Sequence, residues 1–319
     1  MCHHTKPGWL LAPQRRVTTL IFGFQKAQGS MKIVLIGSGY IASNFAEKLK
    51  ILDSQAQVTR LDLSDGSFDI TEPMYFPKLK ESLDNAIIYI FAAISSDPSV
   101  AQNIKLATQV NLTGLANFLE FAMRQCSPSK VIFSSSEWVY GDTIDNGAVN
   151  LSRLTSDYAR QKVAGEILVE QLGTAYDVPT IIARFGIVWG NRLTGSACEN
   201  LASEAVEASK TGNSKLTVGH RNSARRFIHV NDLSYALTRI SDEPAGIYDL
   251  TGDEVISIQK IVDICGSILQ TKFELEETAS GPSLRYLDSK AIQAVSFSWH
   301  KDSFENRMKQ HFEQFFFQQ

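Results

Sequence analysis

Cysteine is scarce in this chain and badly placed for structural use. Cys2, Cys126, Cys198 and Cys265 are scattered and form no Cys-x-x-Cys pair. That excludes a disulfide framework and a thiolate zinc site, and it predicts reduced thiols in the cytoplasm. The histidines, at positions 3, 4, 220, 229, 300 and 311, show no metal-ligand spacing, so no metal is expected. No apolar run approaches the roughly 20 residues of a membrane helix, so no membrane partner is expected. An excess of positive charge is also missing. Lys and Arg number 31 against 34 Asp and Glu, a net charge of −3, which leaves no footprint for nucleic acid. Internal repeats and low-complexity linkers are absent too.

One local absence divides the chain. Residues 1–30 contain no Asp or Glu but carry Lys6, Arg15, Arg16 and Lys26. They read as an upstream extension or leader; a transit peptide is the alternative, and no signal-peptide plan is visible. Gln28-Gly29-Ser30 resembles a junction, so the fold is expected to begin at Met31.

The stretch that follows is Met31-Lys-Ile-Val-Leu-Ile-Gly37-Ser-Gly39-Tyr-Ile-Ala42. Ile33 to Ile36 run without a polar break, as a strand covered on both faces does. Gly37 permits a tight turn, Gly39 leaves room for a pyrophosphate, and Ala42 is small enough for a helix to lie against the strand. That helix, over 43–51, would turn its unpaired N–H groups and positive end toward an anion. The next strand, Gln57 to Asp62, ends in an acid 23 residues beyond Gly39. Such an acid can accept both ribose hydroxyls and would repel a 2′-phosphate, so NAD is favoured over NADP; Arg60 keeps NADP open.

Strands at 86–93, 130–134 and 178–185 alternate with helices at 104–124 and 155–172. Phe68–Thr71 reads as a short strand or turn, and 274–288 as loop. This alternation predicts an α/β fold: a Rossmann-type doubly wound parallel sheet with a smaller C-terminal substrate lobe. Residues 31–183 would form the NAD-binding domain, with segments near 227–250 returning to it. Residues 184–319 would mainly form the substrate lobe.

Tyr158 and Lys162 are four apart in a predicted helix, on one face. A nearby ammonium favours the phenolate, as would the positive ring of an oxidised nicotinamide. Such a tyrosine can move a proton near neutral pH. Ser134, Ser135 and Ser136 stand at a strand's carboxyl end, where α/β folds place ligands.

These stretches, with Phe91-Ala-Ala93, Asn111 with Gly114 and Glu120, Ser134-Ser-Ser-Glu-Trp-Val-Tyr-Gly141 and Arg225-Arg-Phe-Ile-His-Val230, follow one another from about Met31 to Phe315. In order and spacing they resemble the extended short-chain dehydrogenase/reductase family, in its NAD-dependent epimerase/dehydratase branch. The resemblance implies Ser136, Tyr158 and Lys162 as catalytic residues. It implies a cofactor site of Gly37, Gly39, Tyr40, Ile41, Asp62, Asp69, Ile70, Phe91, Ala92, Ala93 and Asn111, together with Tyr158 and Lys162. Substrate would meet Ser136, Glu137, Gly186, Arg225 and Arg285. His229 reads as a packed, structural residue.

Departures from the family pattern narrow the chemistry. The glycine turn is one residue short and ends in Ala42. Trp138 stands where related dehydratases carry an acid, which argues against dehydration. Gly186 replaces an Asn that usually reaches the substrate diphosphate, and Arg285 could substitute for a missing C-terminal arginine motif. The expected function is an NAD-dependent epimerase or oxidoreductase acting on a sugar or nucleotide sugar. Alternatives are an NAD(P)H-dependent keto-sugar reductase and a non-catalytic NAD-binding sensor or scaffold. A homodimer is expected through the helices at 104–124 and 155–172.

Overall fold

Ile33 to Ile36 are exposed by 1% or less, because β1 (Lys32–Ile36) runs through the middle of a sheet covered on both sides. The computed structural model describes residues 31–141, 144–145, 148–192, 195–287 and 301–317; the leader expectation for 1–30 lies outside them. Met31–Gln319 forms a unit of its own.

In chain order β1 is followed by α1 (Tyr40–Leu52), β2 (Gln57–Leu61), α2 (Lys80–Leu83) and β3 (Ile87–Ile90). Then come α3 (Asp97–Gln102), α4 (Ile104–Thr108), α5 (Leu115–Gln125), β4 (Lys130–Ser136), β5 (Ile144–Asp145), α6 (Asp157–Tyr176) and β6 (Thr180–Phe185). The second half holds β7 (Ile187–Trp189), α7 (Ala197–Thr211), β8 (Lys215–Val218), β9 (Ala224–His229), α8 (Val230–Ile240) and β10 (Gly246–Leu250). It closes with β11 (Val255–Ser257), α9 (Ile258–Leu269), β12 (Glu274–Glu277), β13 (Leu284–Leu287) and α10 (Phe304–Phe315).

Six strands form the central sheet in the order β10-β6-β4-β3-β1-β2, every neighbouring pair parallel. Alternate β1 residues serve two cores. Val34 and Ile36 pack with Phe118 and Leu119 of α5; Ile33 and Leu35 pack with Phe45 and Leu49 of α1 and Leu233 and Leu237 of α8. Period-two alternation makes this double burial possible. The chain moves outward from β1 to β2, then crosses back to place β3 on the other side of β1. That reversal opens a crevice at the strands' carboxyl ends. The expected doubly wound sheet is therefore present. A further core gathers Trp189, Phe227, Met308 and Phe312 with α7 and α9 residues.

Of the two readings left open for Phe68–Thr71, strand or turn, the turn is found, because Asp69 Oδ1 accepts both the Thr71 N–H at 2.8 Å and its hydroxyl at 2.7 Å. Two local expectations change. The helix expected over 104–124 is interrupted by a π turn, Gln109–Gly114. At that turn a Cβ on Gly114 would lie 2.8 Å from the Ile70 carbonyl, so only glycine lets the segments approach. The 274–288 segment contains β12 and β13. β12 is a charged edge strand with no buried residue, so it carries no apolar alternation to read. Among the described residues no helix is long and apolar enough to cross a membrane, and no cluster of three or more His, Cys, Asp or Glu could hold a metal.

Candidate functional site

The β1–α1 turn is shaped by its glycines. Gly37 has φ +93, and a Cβ there would come 2.6 Å from the Ala92 nitrogen. Gly39 precedes α1 with no capping side chain, the first turn of α1 carries no acid, and a Cβ at 39 would meet nothing within 4 Å. The helix N-terminus thus opens onto empty space with its donors uncapped, a cradle that fits the pyrophosphate of a dinucleotide.

From this turn a cleft of about 500 Å³ runs past Asp62, Phe91, Ala92 and Ala93 to Ser134, Tyr158 and Lys162. A second, more apolar compartment of about 320 Å³ shares Gly37, Asp62, Ala92 and Ala93 with it and is completed by Phe68, Asp69, Ile70 and Val110. Asp62 stands where the two meet. Its Oδ2 accepts the Ser38 N–H at 2.5 Å and its Oδ1 the Ser64 N–H at 2.8 Å. Partial burial raises its pKa, but the hydrogen bonds from Ser64 and Ser38 outweigh that and hold it below the usual carboxylate range.

At the other end α6 and β4 meet. Ser156 caps α6 by accepting the Ala159 N–H at 3.1 Å, and the helix carries Tyr158 and Lys162 on its buried side. Lys162 Nζ donates to the Ser134 carbonyl at 2.7 Å and lies 5.9 Å from the centre of the Tyr158 ring. Burial pushes the lysine down to about 8, against the opposing pull of Glu166 one turn along. Burial likewise pushes the Tyr158 phenol up to about 12, partly offset by a hydrogen bond with Ser136. Ser136 Oγ also accepts the Trp138 N–H at 3.3 Å, and the Trp138 ring stands edge-on to Tyr158, centroids 6.1 Å apart. The corner can hold a proton on Tyr158 and lend it positive charge from Lys162.

Residues 33–250 match the model of the NAD dependent epimerase/dehydratase family. The chain belongs to that family. It is a family of enzymes, and the match spans the whole central sheet except the first residue of β1. Among curated proteins, an uncharacterized UDP-glucose epimerase of Bacillus subtilis (strain 168), YtcB, is 26% identical over 298 residues, covering 84% of this chain and 92% of that protein. Among solved structures, the UDP-glucose 4-epimerase of Thermus thermophilus in complex with NAD is 20% identical with a TM-score of 0.71, covering 88% of this chain and 98% of that one. RMD from Pseudomonas aeruginosa, complexed with NADPH, is 17% identical with a TM-score of 0.72, covering 88% and 97%.

Within this family member most of the residues expected around the cofactor line the two compartments: Gly37, Gly39, Tyr40, Ile41, Asp62, Asp69, Ile70, Phe91, Ala92, Ala93, Tyr158 and Lys162. Asn111 works from behind. Its amide accepts the Ile94 N–H at 2.8 Å and donates to the Ile94 carbonyl at 3.0 Å and to Gln161 at 2.7 Å, which fixes the loop after β3. Of the substrate set, Ser136 stands at the corner. Glu137 is 2% exposed in a 3-10 turn, and a Cβ on Gly186 would lie 2.7 Å from the Arg226 carbonyl. Arg225 donates to the Ala224 and Ser283 carbonyls, each at 2.7 Å, and to Ser283 Oγ at 2.8 Å, beside β13 rather than in the cleft. Arg285 is paired in register with Arg225; its side chain lies outside what is described. His229 caps α8, its Nδ1 accepting the Asn231 N–H at 3.2 Å, and burial pushes it down to about 3, so the ring is neutral.

Two residues went unnoticed in the sequence. Arg192 lines the cleft, and its only local signal is the Gly190-Asn191 turn before it. Glu166 sits one turn beyond Lys162 and binds Arg184 in two places, Nε to Oε1 at 2.9 Å and Nη2 to Oε2 at 2.6 Å. Its spacing from Lys162 could have been read; its partner, 18 residues away, could not.

Proposed function

We propose that this chain binds NAD in the cleft and catalyses a redox-based epimerisation of a sugar, with a nucleotide sugar as substrate class. The observation that carries the proposal is that Tyr158 and Lys162, with Nζ 5.9 Å from the ring centre, line the same cleft as the glycine turn, at the end of β4 where Ser136 stands. NAD, when bound, supplies the hydride acceptor and the positive charge of its oxidised ring. The chain does the rest. Ser136 orients a sugar hydroxyl, Tyr158 Oη accepts its proton, and the Lys162 ammonium, steadied by the Ser134 carbonyl, lowers the cost of the phenolate. The proton returns by the same oxygen when the sugar is reduced. Asp62 favours NAD, since an ionised carboxylate at the ribose repels a 2′-phosphate.

Arg60 favours a second reading. Its guanidinium reaches Ser43 Oγ at 2.9 Å and the Ser38 carbonyl at 3.4 Å, close to the ribose end. A keto-sugar reductase using NADPH would exploit it. Two arrangements extend the main reading: a homodimer through α5 and α6, where Ile167 is 56% exposed, and a cytoplasmic location, supported by the free buried thiols of Cys126, Cys198 and Cys265.

The test is a thermal-shift and calorimetric comparison of NAD with NADP, followed by a panel of nucleotide sugars offered without added cofactor. The epimerase reading expects tighter NAD and a change in epimer ratio from enzyme carrying its own NAD. Tighter NADPH, with turnover only when it is added, would replace it by the reductase.

A further inference from the structure

Among the described lining residues the cleft holds two cations, Lys162 and Arg192. Lys162 is committed to the Ser134 carbonyl beside Tyr158. Arg192 stands at the glycine turn instead, its guanidinium carbon 4.4 Å from the centre of the Tyr40 ring. Tyr40 is the first residue of α1, directly after Gly39.

The backbone drives Arg192 to this place. Gly190 and Asn191, at φ +103 and +59, both take left-handed conformations at the end of β7. Three helices hold the resulting turn. From α1, Tyr40 Oη donates to the Gly190 carbonyl. From α7, Glu199 Oε1 accepts the Gly190 N–H at 2.9 Å. Asn191 Nδ2 donates to Asn44 of α1 and Asn231 of α8, each at 2.7 Å. The guanidinium is exposed, lies over the ring, and forms no ion pair with a carboxylate of the described residues. Stacking fixes its plane while leaving its N–H edges free.

We propose that Arg192 closes over the diphosphate of the bound dinucleotide. The anion is then held between the uncapped N-terminus of α1 on one side and a charged fork on the other. The helix end offers only about half a unit charge, so it leaves most of a diphosphate unneutralised; a guanidinium supplies a full charge in bidentate geometry. Because Arg192 follows β7 while Tyr40 opens α1, cofactor binding also ties the turn after β7 to the glycine turn. The inference rests on the dinucleotide reading of the cleft.

Calorimetric titration of the full chain with NAD, adenosine and UDP, for wild type, Arg192→Met and Arg192→Lys, tests it. Arg192→Met is expected to weaken NAD by about tenfold or more, the worth of a charge-assisted pair. It should also flatten the salt dependence of NAD binding. Arg192→Lys, which keeps the charge but not the fork, should fall between. Adenosine, lacking phosphate, should bind all three alike, and so should UDP. An NAD affinity in Arg192→Met within about twofold of wild type, with adenosine still bound, overturns the proposal. So does a loss for UDP without a loss for NAD, which would put the guanidinium on the substrate's diphosphate. Absence of NAD binding in wild type is a different result: it removes the cofactor reading itself. Apo melting curves of the three proteins, expected to coincide, exclude misfolding as the cause.

Discussion

Two cations are buried near the same carboxylate, and the chain treats them differently. Arg184 lies in a network behind the site. It is paired twice to Glu166, its Nη1 donates to Tyr140 Oη at 2.7 Å, and that hydroxyl donates to Asp249 Oδ1 at 2.8 Å. Ser135 donates to Glu166 as well. Burial alone would lower the Arg184 pKa, but its hydrogen-bonded carboxylate raises it further than burial lowers it. Lys162, one helical turn before Glu166, has a carbonyl for its hydrogen bond and is pushed down to about 8. A fully paired charge is fixed in place. A charge held by one neutral acceptor next to a phenol stays responsive to what enters the cleft. Similar burial therefore produces a fixed network in one region and a responsive charge in the other.

Substitutions can separate the two. Tyr158→Phe should remove the proton transfer and lower turnover by about 10²–10⁴, while its melting temperature stays close to wild type. Arg184→Met should act the other way round. It strands Glu166 in the interior, at a cost of about 3–5 kcal/mol in denaturant unfolding, and Glu166→Gln in the same protein should restore part of that. Equal stability of Arg184→Met and wild type would erase the distinction between the regions.

Lys162→Met gives a smaller but more informative effect. Its folded pKa of about 8 lies below the ordinary 10.5. Between these values the unfolded chain keeps a proton that the folded chain has released, so wild-type stability gains with rising pH. Below about 8 the burial cost is present in full. Apo Lys162→Met should therefore be at least as stable as wild type near neutrality, and the gap should shrink on the alkaline side, although turnover is lost. A strongly destabilised variant would make Lys162 a scaffold residue like Arg184.

The least effect is expected at the far end of the network. Burial, resisted by Tyr140 and Arg184, pushes Asp249 up to about 6 from an ordinary 3.8. In that window the folded chain holds a proton the unfolded chain has lost, so this contribution weakens as pH rises through it. Asp249→Asn keeps the oxygen that Tyr140 uses and should gain about 1–3 kcal/mol near neutral pH. The gain should vanish toward the acid side of the window, as read by pH-dependent denaturation.

The same contrast explains what could be read from the sequence. β1, the glycine turn and the Tyr158–Lys162 spacing are local patterns, and each appears where its residues imply. The Arg184 network is not local: Tyr140 and Asp249 are 109 residues apart, and neither carries a motif for the other. Arg192 was hidden for a similar reason, since its cleft position depends on Tyr40, Glu199 and Asn231 holding the turn before it. The interrupted helix after β3 looked continuous because its apolar spacing persists through the π turn at Gln109–Gly114. β12 escaped because edge strands need no apolar face.

The central claim is that Tyr158 is an acid–base group whose ionisation depends on the charges around it. Ring-labelled tyrosine NMR of wild type against Tyr158→Phe, with and without saturating NAD, measures this directly. A tyrosinate signal that belongs to Tyr158 should appear near neutral to mildly alkaline pH only when NAD is bound, because the free protein holds the phenol at about 12. A Tyr158 phenol that stays protonated over the same range with NAD bound would contradict the account.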